Sequence, residues 1–494
     1  MAALSTAVDW LNGILWGWLL IYVLIGVGIW FTLRTGAVQL RHFSHTFGVM
    51  ASSLSAEHGG ISSVGAYCTS LAARVGTGNI AGVAVAIGLG GPGAVFWMWV
   101  TALVGMATAF AEATLAQLFK RQEDNGTFRG GPAYYMERGL GQRWMGVLFS
   151  LALIFAFGFV FNAVQTNSIS AAMNTAFAVP KWATGVAVLL ITAYIIFGGI
   201  RRIVQFAEIV VPVMAIAYLL VALYVVIINI GQVPAMLTHI VTYAFGWQEA
   251  GAGVVGYTVA QAMLNGVRRG LFSNEAGMGS APNAAATADV PHPAQQGYVQ
   301  MLGVFTDTMI ICSCTAFIIL LAGPEVLQNT NGVAMTQAAL VNEVGAWGAP
   351  FIAIALLFFA FTSIVANYYY GETSLAYIRQ DPRLLLLYRL LVLGMVMMGA
   401  VTDTPLVWDL ADVAMGGMAL INLVAIVLPW LLDAKFTWKS SYARATFSQP
   451  DFRSYTQLTN PGAENSLLIR EDSPSRVFTN HLDETVDFQP EISF

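Results

Sequence analysis

The chain has 494 residues, of which 57% are hydrophobic and 10% charged, with a formal net charge of −5 and a mean hydropathy of +0.67. Soluble domains average about 25% charged residues. The composition therefore excludes an ordinary soluble globular protein and indicates an all-α protein that crosses a membrane several times.

Apolar runs of about 20 residues, the length of a helix that crosses a bilayer, predict eleven membrane spans. In chain order they cover 13–33, 61–91, 93–119, 144–168, 182–200, 204–230, 253–283, 297–321, 349–372, 384–401 and 405–432. The first span stands alone, in a unit 1–60 that ends with a cytoplasmic loop. Five spans fall in 61–230 and five in 253–432, with an extracellular linker at 231–252. A polar cytoplasmic tail, expected to be partly disordered, covers 433–494.

An odd number of spans in each half gives the two halves opposite orientations, which is the pattern of an inverted repeat. Most of the 22 Lys and Arg residues fall in loops on one side of the spans, whereas the opposite loops hold only Lys181. Because basic loops stay cytoplasmic, we expect the N-terminus outside and the C-terminus inside. The residues before the first span contain Asp9 but no Lys or Arg, so no cleavable signal peptide is predicted.

Each half opens with a hydrophobic stretch that is interrupted by glycine and polar residues. The first interruption is centred on residues 74–79 and the second on residues 268–277. Backbone that leaves the helix at membrane depth survives only where it lines a protein-enclosed cavity. Paired interruptions in corresponding places are the best sequence indicator of a transporter's binding site.

Cysteine and histidine give no sign of a disulfide framework or a zinc site. The cysteines fall inside apolar runs and are expected to be buried free thiols: Cys68, Cys312 and Cys314. Three histidines fall in predicted loops and are expected to be solvated: His58, His239 and His292.

Four segments, taken in order, resemble the alanine or glycine:cation symporter family. They are VGTGNIAGVA at 75–84, GGPGAVFWMWVTALVG at 90–105, GGPAYY at 130–135 and RGLFSNEAGMGS at 269–280. The resemblance covers roughly residues 60–435. It implies sodium-coupled uptake of small neutral amino acids, alanine or glycine, across the plasma (inner) membrane. It also implies the neurotransmitter-sodium-symporter fold with one extra N-terminal helix. Neither a cofactor, nor ATP, nor a nucleic acid is expected, and sodium is a co-transported ligand.

An amino acid needs donors for its carboxylate, and half-helix N-termini present free N–H groups and a positive dipole end. We expect the backbone N–H groups of Thr77 and Gly78 to bind the carboxylate, with Asn79 beside them. The alternative is that the glycines here only allow close helix packing.

The second interruption supplies Phe272 to cover the ligand, Ser273 beside it, and Asn274 as an acceptor for the ammonium group. Gln165 lies on the fourth span, which resembles the substrate-facing helix of this fold. A helix–helix hydrogen bond is an equally good interpretation of Gln165.

Sodium is a hard cation that prefers about five or six oxygen ligands. Similar symporters use a Thr-Ser pair on the third helix of the second half, here Thr362 and Ser363, with a carbonyl one turn earlier, here Phe359. The carbonyls of Ala72 and Val75 would complete this set. The alternative is that both hydroxyls bond only their own helix. A second sodium ion near Asn79 and Ser273 is a weaker hypothesis.

Arginines within lipid must be paired or hydrated. Arg268 and Arg269 are candidates for an extracellular gate, and the alternative is a static salt bridge to Glu112, Asp307 or Glu372. Glu275 is either a third gate residue or the counter-charge of Arg268 or Arg269.

Proton-coupled transport is the alternative to sodium symport. A proton-coupled transporter of the same fold would use Glu275 or Asp307 as the proton carrier. No filter repeat of a channel and no motif of an intramembrane hydrolase or P-loop is present. The sequence therefore does not predict a channel, an enzyme or an ATP-driven pump.

Overall fold

Helices make up nearly all of the regular structure in the computed structural model, which describes residues 2–52, 60–123, 126–246, 255–323, 325–326, 330–402 and 404–431. One hairpin pairs β1 (Arg121–Gln122) with β2 (Phe128–Arg129). The predicted tail and His58 lie outside the described residues.

Eight helices of the described chain are long and apolar enough to cross a membrane. They are Ser5–Arg34, Gly93–Leu118, Arg143–Phe177, Gly199–Ile228, Pro293–Leu321, Gly348–Ile378, Pro382–Val401 and Pro405–Leu428, the last within the helix Thr404–Leu431. A ninth span is formed if Ser63–Arg74 and Gly78–Gly90, which meet at a bend of 49°, are counted together.

Two predicted spans correspond to helices that are too short or not apolar enough to meet this criterion, so the number of eleven spans stays a prediction. The fifth corresponds to Lys181–Ile196, which has only 16 residues. The seventh corresponds to Val255–Asn274, which carries Gln261, Asn265 and two arginines and is therefore less apolar. Shorter helices that the span pattern did not predict lie in the connections: Val38–Arg41, Phe43–Ser52, Pro132–Arg138, Val233–Ala244, Pro282–Ala285 and Gly332–Val344.

Four of the spans contain a π-helical turn, in which one extra residue is inserted into the helix. These turns are Leu15–Leu19, Gly78–Gly82, Ile154–Val160 and Phe305–Cys312. The last three lie close to the bends and polar side chains described below, as is frequent for π-turns at functional sites.

Small residues let helices approach closely, as expected where lipid provides no hydrophobic drive for helix association. A Cβ atom on Gly399 would collide with the backbone of Ala163, and one on Gly266 would collide with the carbonyl of Ala94. These contacts join Pro382–Val401 to Phe161–Phe177 and Val255–Asn274 to Gly93–Leu118.

The cysteines are buried free thiols, as predicted. The prediction for His292 was wrong, because its side chain is 5% exposed and caps the helix Pro293–Val304 through Nδ1, which accepts from Ala294 N at 3.1 Å. Burial lowers the pKa of His292 to about 4, so the ring stays neutral and can accept that hydrogen bond. His239 is exposed as expected, but it lies on the helix Val233–Ala244 rather than in a loop.

Candidate functional site

The first break separates Ser63–Arg74 from the π-turn that begins at Gly78. Three N–H groups that would continue the helix here bond elsewhere. The N–H of Gly76 donates to Asn79 Oδ1 at 2.8 Å, and that of Thr77 donates to Gln165 Oε1 at 2.9 Å. The N–H of Asn79 reaches Gly76 O at 3.3 Å instead of the carbonyl of Val75. The carbonyls of the last helical turn, including Ala72, are thereby released from helical pairing.

Oxygen atoms of the predicted sodium ligands meet beside this break. Ser363 Oγ lies 2.9 Å from Ala72 O and 3.0 Å from Phe359 O. Thr362 Oγ1 lies 2.8 Å from Phe359 O and 3.4 Å from Ala72 O. Both hydroxyls therefore bond their own helix, as the alternative interpretation proposed, and also contact the first break. Val75, the remaining predicted ligand, is fully buried directly after the helix Ser63–Arg74.

The second break begins inside the interval 268–277 that the sequence pattern indicated, but near its end. The helix Val255–Asn274 runs unbroken through Arg268 and Arg269, and the chain leaves it at Glu275, whose φ is 58°. A left-handed residue at this position is a common way to end a helix. Glycines with φ of 88° and 80° follow at 277 and 279. Phe272, Ser273 and Asn274 thus belong to the last helical turn rather than to extended backbone.

Polar side chains satisfy the non-helical backbone of the second break. Asn274 Oδ1 accepts from Ala276 N at 3.0 Å, and Ser280 Oγ donates to Glu275 Oε2 at 2.6 Å. Asn422 Nδ2 donates both to Gly277 O at 3.0 Å and to Glu112 Oε1 at 2.8 Å. Because a hydrocarbon environment offers no partners, this network explains how irregular backbone persists inside the helical bundle.

The two breaks touch each other. A Cβ atom on Gly78 would lie 3.1 Å from the Phe272 ring and 3.2 Å from the Cα of Ser273. The Phe272 ring stacks on Phe161, with centroids 4.7 Å apart, and lies 5.1 Å from the ring of Trp408. These three aromatic rings form an apolar wall next to the polar backbone of the first break.

Asp307 accepts hydrogen bonds from side chains at both breaks. Its Oδ1 accepts from Asn79 Nδ2 at 2.6 Å, and its Oδ2 accepts from Ser273 Oγ at 2.8 Å. Thr308 Oγ1 adds a third bond at 2.7 Å. Asp307 is fully buried, on the π-turn Phe305–Cys312. A carboxylate therefore connects the two breaks directly.

The predicted partners of the arginine pair were wrong. Arg268 Nη1 lies 3.3 Å from Asp412 Oδ2, and Arg269 Nη2 forms an ion pair with the same oxygen. Among the described residues neither arginine pairs with Glu112, Asp307, Glu372 or Glu275. The role of Glu275 as their counter-charge was also wrong, since its carboxylate bonds Ser280.

Arg74 is 2% exposed and is the last residue of the helix Ser63–Arg74, directly before the first break. Its Nη1 donates to Gln300 Oε1 at 3.1 Å. No carboxylate of the described residues lies within ion-pair distance of it.

On the other side of the breaks, the segment before the first break is hydrogen-bonded to the segment after the second. Ile61 forms a parallel bridge with Ala288, and Asp289 N donates to Ile61 O at 2.9 Å. Lys120 Nζ and Gln117 Nε2 both donate to Ala288 O, at 2.7 and 3.1 Å. The end of Gly93–Leu118 therefore holds the segments that precede the first break and follow the second.

Sequence reasoning missed Asp412, Asn422, Phe161 and Trp408. Asp412 could have been found, because an ionisable residue within a span is a functional candidate by default. The others look like ordinary helix residues, and only the packing of distant helices brings them to the site.

Comparisons place this chain among membrane transporters. A model of the sodium:alanine symporter family matches residues 1–452. The amino-acid carrier protein AlsT of Bacillus subtilis is 51% identical over 409 residues, which are 83% of this chain and 86% of that protein. The probable sodium/glutamine symporter GlnT of the same organism is 48% identical over 434 residues, 88% of this chain and 89% of that protein.

The fold is similar to that of a solved transporter structure. The crystal structure of MhsT in complex with L-phenylalanine aligns with a TM-score of 0.51 and 16% sequence identity, covering 78% of this chain and 91% of that one. At this identity the likeness shows a shared neurotransmitter-sodium-symporter-like fold and nothing about the ligand.

Proposed function

Because the chain belongs to the sodium:alanine symporter family, we propose that it carries small neutral amino acids, alanine and glycine, into the cell together with sodium. The membership supports amino-acid symport by a multi-span membrane protein. The coupling ion and the substrate are our proposal. It rests on one observation, the meeting of two hydroxyls and two carbonyls from Thr362, Ser363, Phe359 and Ala72 beside the first break.

Oxygens from two separate elements suit a hard cation, since an ion that binds all of them links the helix of Thr362 and Ser363 to the first break. The carbonyl of Val75 is the proposed additional ligand. Sodium bound here stabilises the bent form of the first break and so prepares the neighbouring N–H groups for the substrate.

In our proposal the substrate carboxylate binds the N–H groups of Thr77 and Gly78. The Thr77 N–H now bonds Gln165 Oε1, so the carboxylate replaces this amide oxygen and the released amide group turns to the ligand. Phe272 covers the substrate side chain. Asn79, Ser273 and Asn274 complete the polar surroundings, with the Asn274 oxygen shared between the second break and the ammonium group.

We further propose that residues 61–230 and 253–432 are two inverted five-helix halves that rock about this site, with the N-terminus outside. Two layers of contacts lie on opposite sides of the breaks. One consists of the ion pairs of Arg268 and Arg269 with Asp412, and the other of the hydrogen bonds to Ala288 O. Alternating access requires that these layers open in turn.

The deciding experiment is uptake of labelled alanine and glycine into proteoliposomes that contain the purified protein. With sodium higher outside, both amino acids should accumulate against their gradients. Replacing external sodium by potassium at constant pH should abolish accumulation. Equal uptake in potassium would overturn sodium coupling.

The buried carboxylate of Asp307 supports a second candidate, proton-coupled symport. It accepts hydrogen bonds from Asn79 and Ser273, so gain or loss of a proton on Asp307 would change its bonds to both breaks. In that case uptake in potassium should follow an imposed pH gradient, and Asp307→Asn should remove this dependence. Sodium-driven uptake that is indifferent to the pH gradient would reject it.

A further inference from the structure

The N-terminal helix, which lies outside both five-helix halves, turns one tryptophan into the protein. Within the π-turn Leu15–Leu19, Trp16 is fully buried, whereas Trp18 is 82% exposed. Trp10, further towards the N-terminus, is 66% exposed. Trp10 and Trp18 therefore lie on the exposed side of this helix, whereas Trp16 belongs to its buried face, together with Leu20 and Leu24.

Trp16 contacts two members of the charged layer at Asp412. Its Nε1 donates to the backbone carbonyl of Asp412 at 3.1 Å. Its ring lies beneath the guanidinium group of Arg268, with 5.4 Å between Cζ and the ring centroid. Gly416, one turn after Asp412, lets the two helices approach at Leu20, since a Cβ atom there would lie 2.7 Å from Leu20 Cδ1, and it adjoins Trp16 Nε1 at an ordinary contact distance of 3.5 Å.

The charges of this layer explain why an aromatic ring is needed. Two guanidinium groups share the single oxygen Oδ2 of Asp412 in a buried place, so neither has that oxygen to itself, and Asp409 adds a second negative charge nearby. Arg269 has aromatic faces on the substrate side, with Phe272 at 5.7 Å and Trp408 at 5.0 Å. The face that stabilises Arg268 comes from Trp16.

A second contact ties the same helix to the same stretch of chain. Asn12 Nδ2 donates to the backbone carbonyl of Asp409 at 3.0 Å. Asn12 lies one helical turn before Trp16, so both side chains project from one face of the helix. Two side chains of the first helix thus hold two carbonyls of the helix that carries Asp412.

We propose that Trp16 is a positioning residue of the outer barrier, which couples the N-terminal helix to closure over the substrate by holding Arg268 and the backbone of Asp412. This inference rests on the proposed function, in which the Arg268, Arg269 and Asp412 layer closes the outer side of the site. Without Trp16 the closed arrangement is less favourable. Since closure contributes to the apparent affinity, KM for the substrate should rise while the substrate-contacting groups stay intact.

The test compares Trp16→Leu with the matched control Trp18→Leu, which removes a lipid-facing tryptophan from the same π-turn. We expect Trp16→Leu to raise KM for sodium-driven alanine uptake by about 5- to 30-fold, through loss of one cation–π contact and one hydrogen bond. Trp16→Phe keeps a ring beneath Arg268 and should raise KM by only about threefold. Trp18→Leu should leave KM unchanged. Membrane content and thermal melting in detergent check that each variant is folded.

A double-mutant cycle shows whether Trp16 acts through Arg268. In an Arg268→Gln background, Trp16→Leu should raise KM much less than it does in the wild-type protein. The inference is overturned if Trp16→Leu and Trp18→Leu give the same KM, or if the Trp16 effect is equal in both backgrounds. Absence of sodium-driven uptake by the wild-type protein would instead overturn the proposed function, and the two failures are therefore distinguishable.

Discussion

At the scale of single residues, Phe272 illustrates how a substrate limit can arise. Its ring joins the apolar wall to the first break, stacked on Phe161 and touching the position of Gly78. In our proposal the backbone donors of that break bind only the carboxylate, so they do not distinguish one amino acid from another. Discrimination must come from the walls around the side chain.

Phe272→Ala should therefore admit larger substrates. We expect leucine to compete with alanine for binding to the purified variant, and alanine itself to bind about tenfold more weakly because its cover is lost. Phe157→Ala is the control, since it removes a ring on the far side of Phe161 in the same stack. If leucine still fails to compete while alanine binds normally, Phe272 is not the wall.

Alanine variants of Thr362 and Ser363 test the proposed sodium site. Substituting either by Ala should raise the sodium concentration for half-maximal uptake by roughly 5- to 150-fold, as expected for loss of one neutral ligand oxygen. Thr114→Ala removes a buried hydroxyl that bonds Phe110 O of its own helix at 2.8 Å, and it should leave the sodium dependence unchanged. An unchanged sodium dependence of the Thr362 and Ser363 double variant would mean that these hydroxyls serve only their own helix.

At the scale of elements, the first break depends on a residue without a side chain. A Cβ atom on Gly76 would collide with Ser363 Oγ and lie 2.9 Å from Gln165 Oε1. Both atoms belong to the proposed ion and substrate sites, and neither can move away without breaking a contact described above.

Gly76→Ala should accordingly lower sodium-driven uptake by at least about 100-fold, the effect of displacing site atoms by roughly 1 Å. Gly26→Ala in the first helix is the matched control, because no atom lies within 4 Å of its Cβ position among the described residues. Wild-type sodium affinity in Gly76→Ala, measured on purified protein, would contradict the geometry.

The two breaks were predictable because glycines and polar residues interrupt apolar runs, which is a local signal. The meeting of Ser363 with Ala72 was predicted from the family resemblance rather than from the residues alone. The pairing of Arg268 with Asp412 was not predictable in this way, since 144 residues separate them and only helix packing selects the partner. The sequence pattern also assigned Phe272, Ser273 and Asn274 to the second break, because it does not show at which residue the helix ends, and the left-handed Glu275 marks that end in the structure.

At the scale of the whole molecule, closure on one side of the site involves a buried amine. Lys120 is 5% exposed, donates to Ala288 O and lies 4.0 Å from the centroid of the Phe128 ring. Burial lowers the pKa of Lys120 to about 7, although Asp289 nearby acts in the opposite direction. The folded protein therefore bears the cost of a buried charge below pH 7.

The sign of the pH dependence follows from linkage. Between the folded pKa of about 7 and the ordinary value near 10.4, the unfolded state binds the proton more strongly, so stability rises with pH across this window. We expect Lys120→Met to melt at a higher temperature at pH 7 and to show a smaller rise between pH 7 and 10. Lys181→Met, at an exposed position, should leave the slope of the wild-type protein. An unaltered slope in Lys120→Met would show that other groups set it.

All three cysteines are buried, so the rate at which a thiol reagent modifies them can report movements of the protein. Cys312 Sγ lies 3.3 Å from Asn79 Nδ2 and 3.1 Å from Ser273 Oγ, so it faces the junction of the two breaks, while Cys68 and Cys314 are buried elsewhere in apolar surroundings. In our proposal a water-soluble maleimide reaches Cys312 when one of the two layers opens. The rate of its modification, followed by mass spectrometry in sodium and in potassium, would report the opening of the transport path without the introduction of a single foreign label.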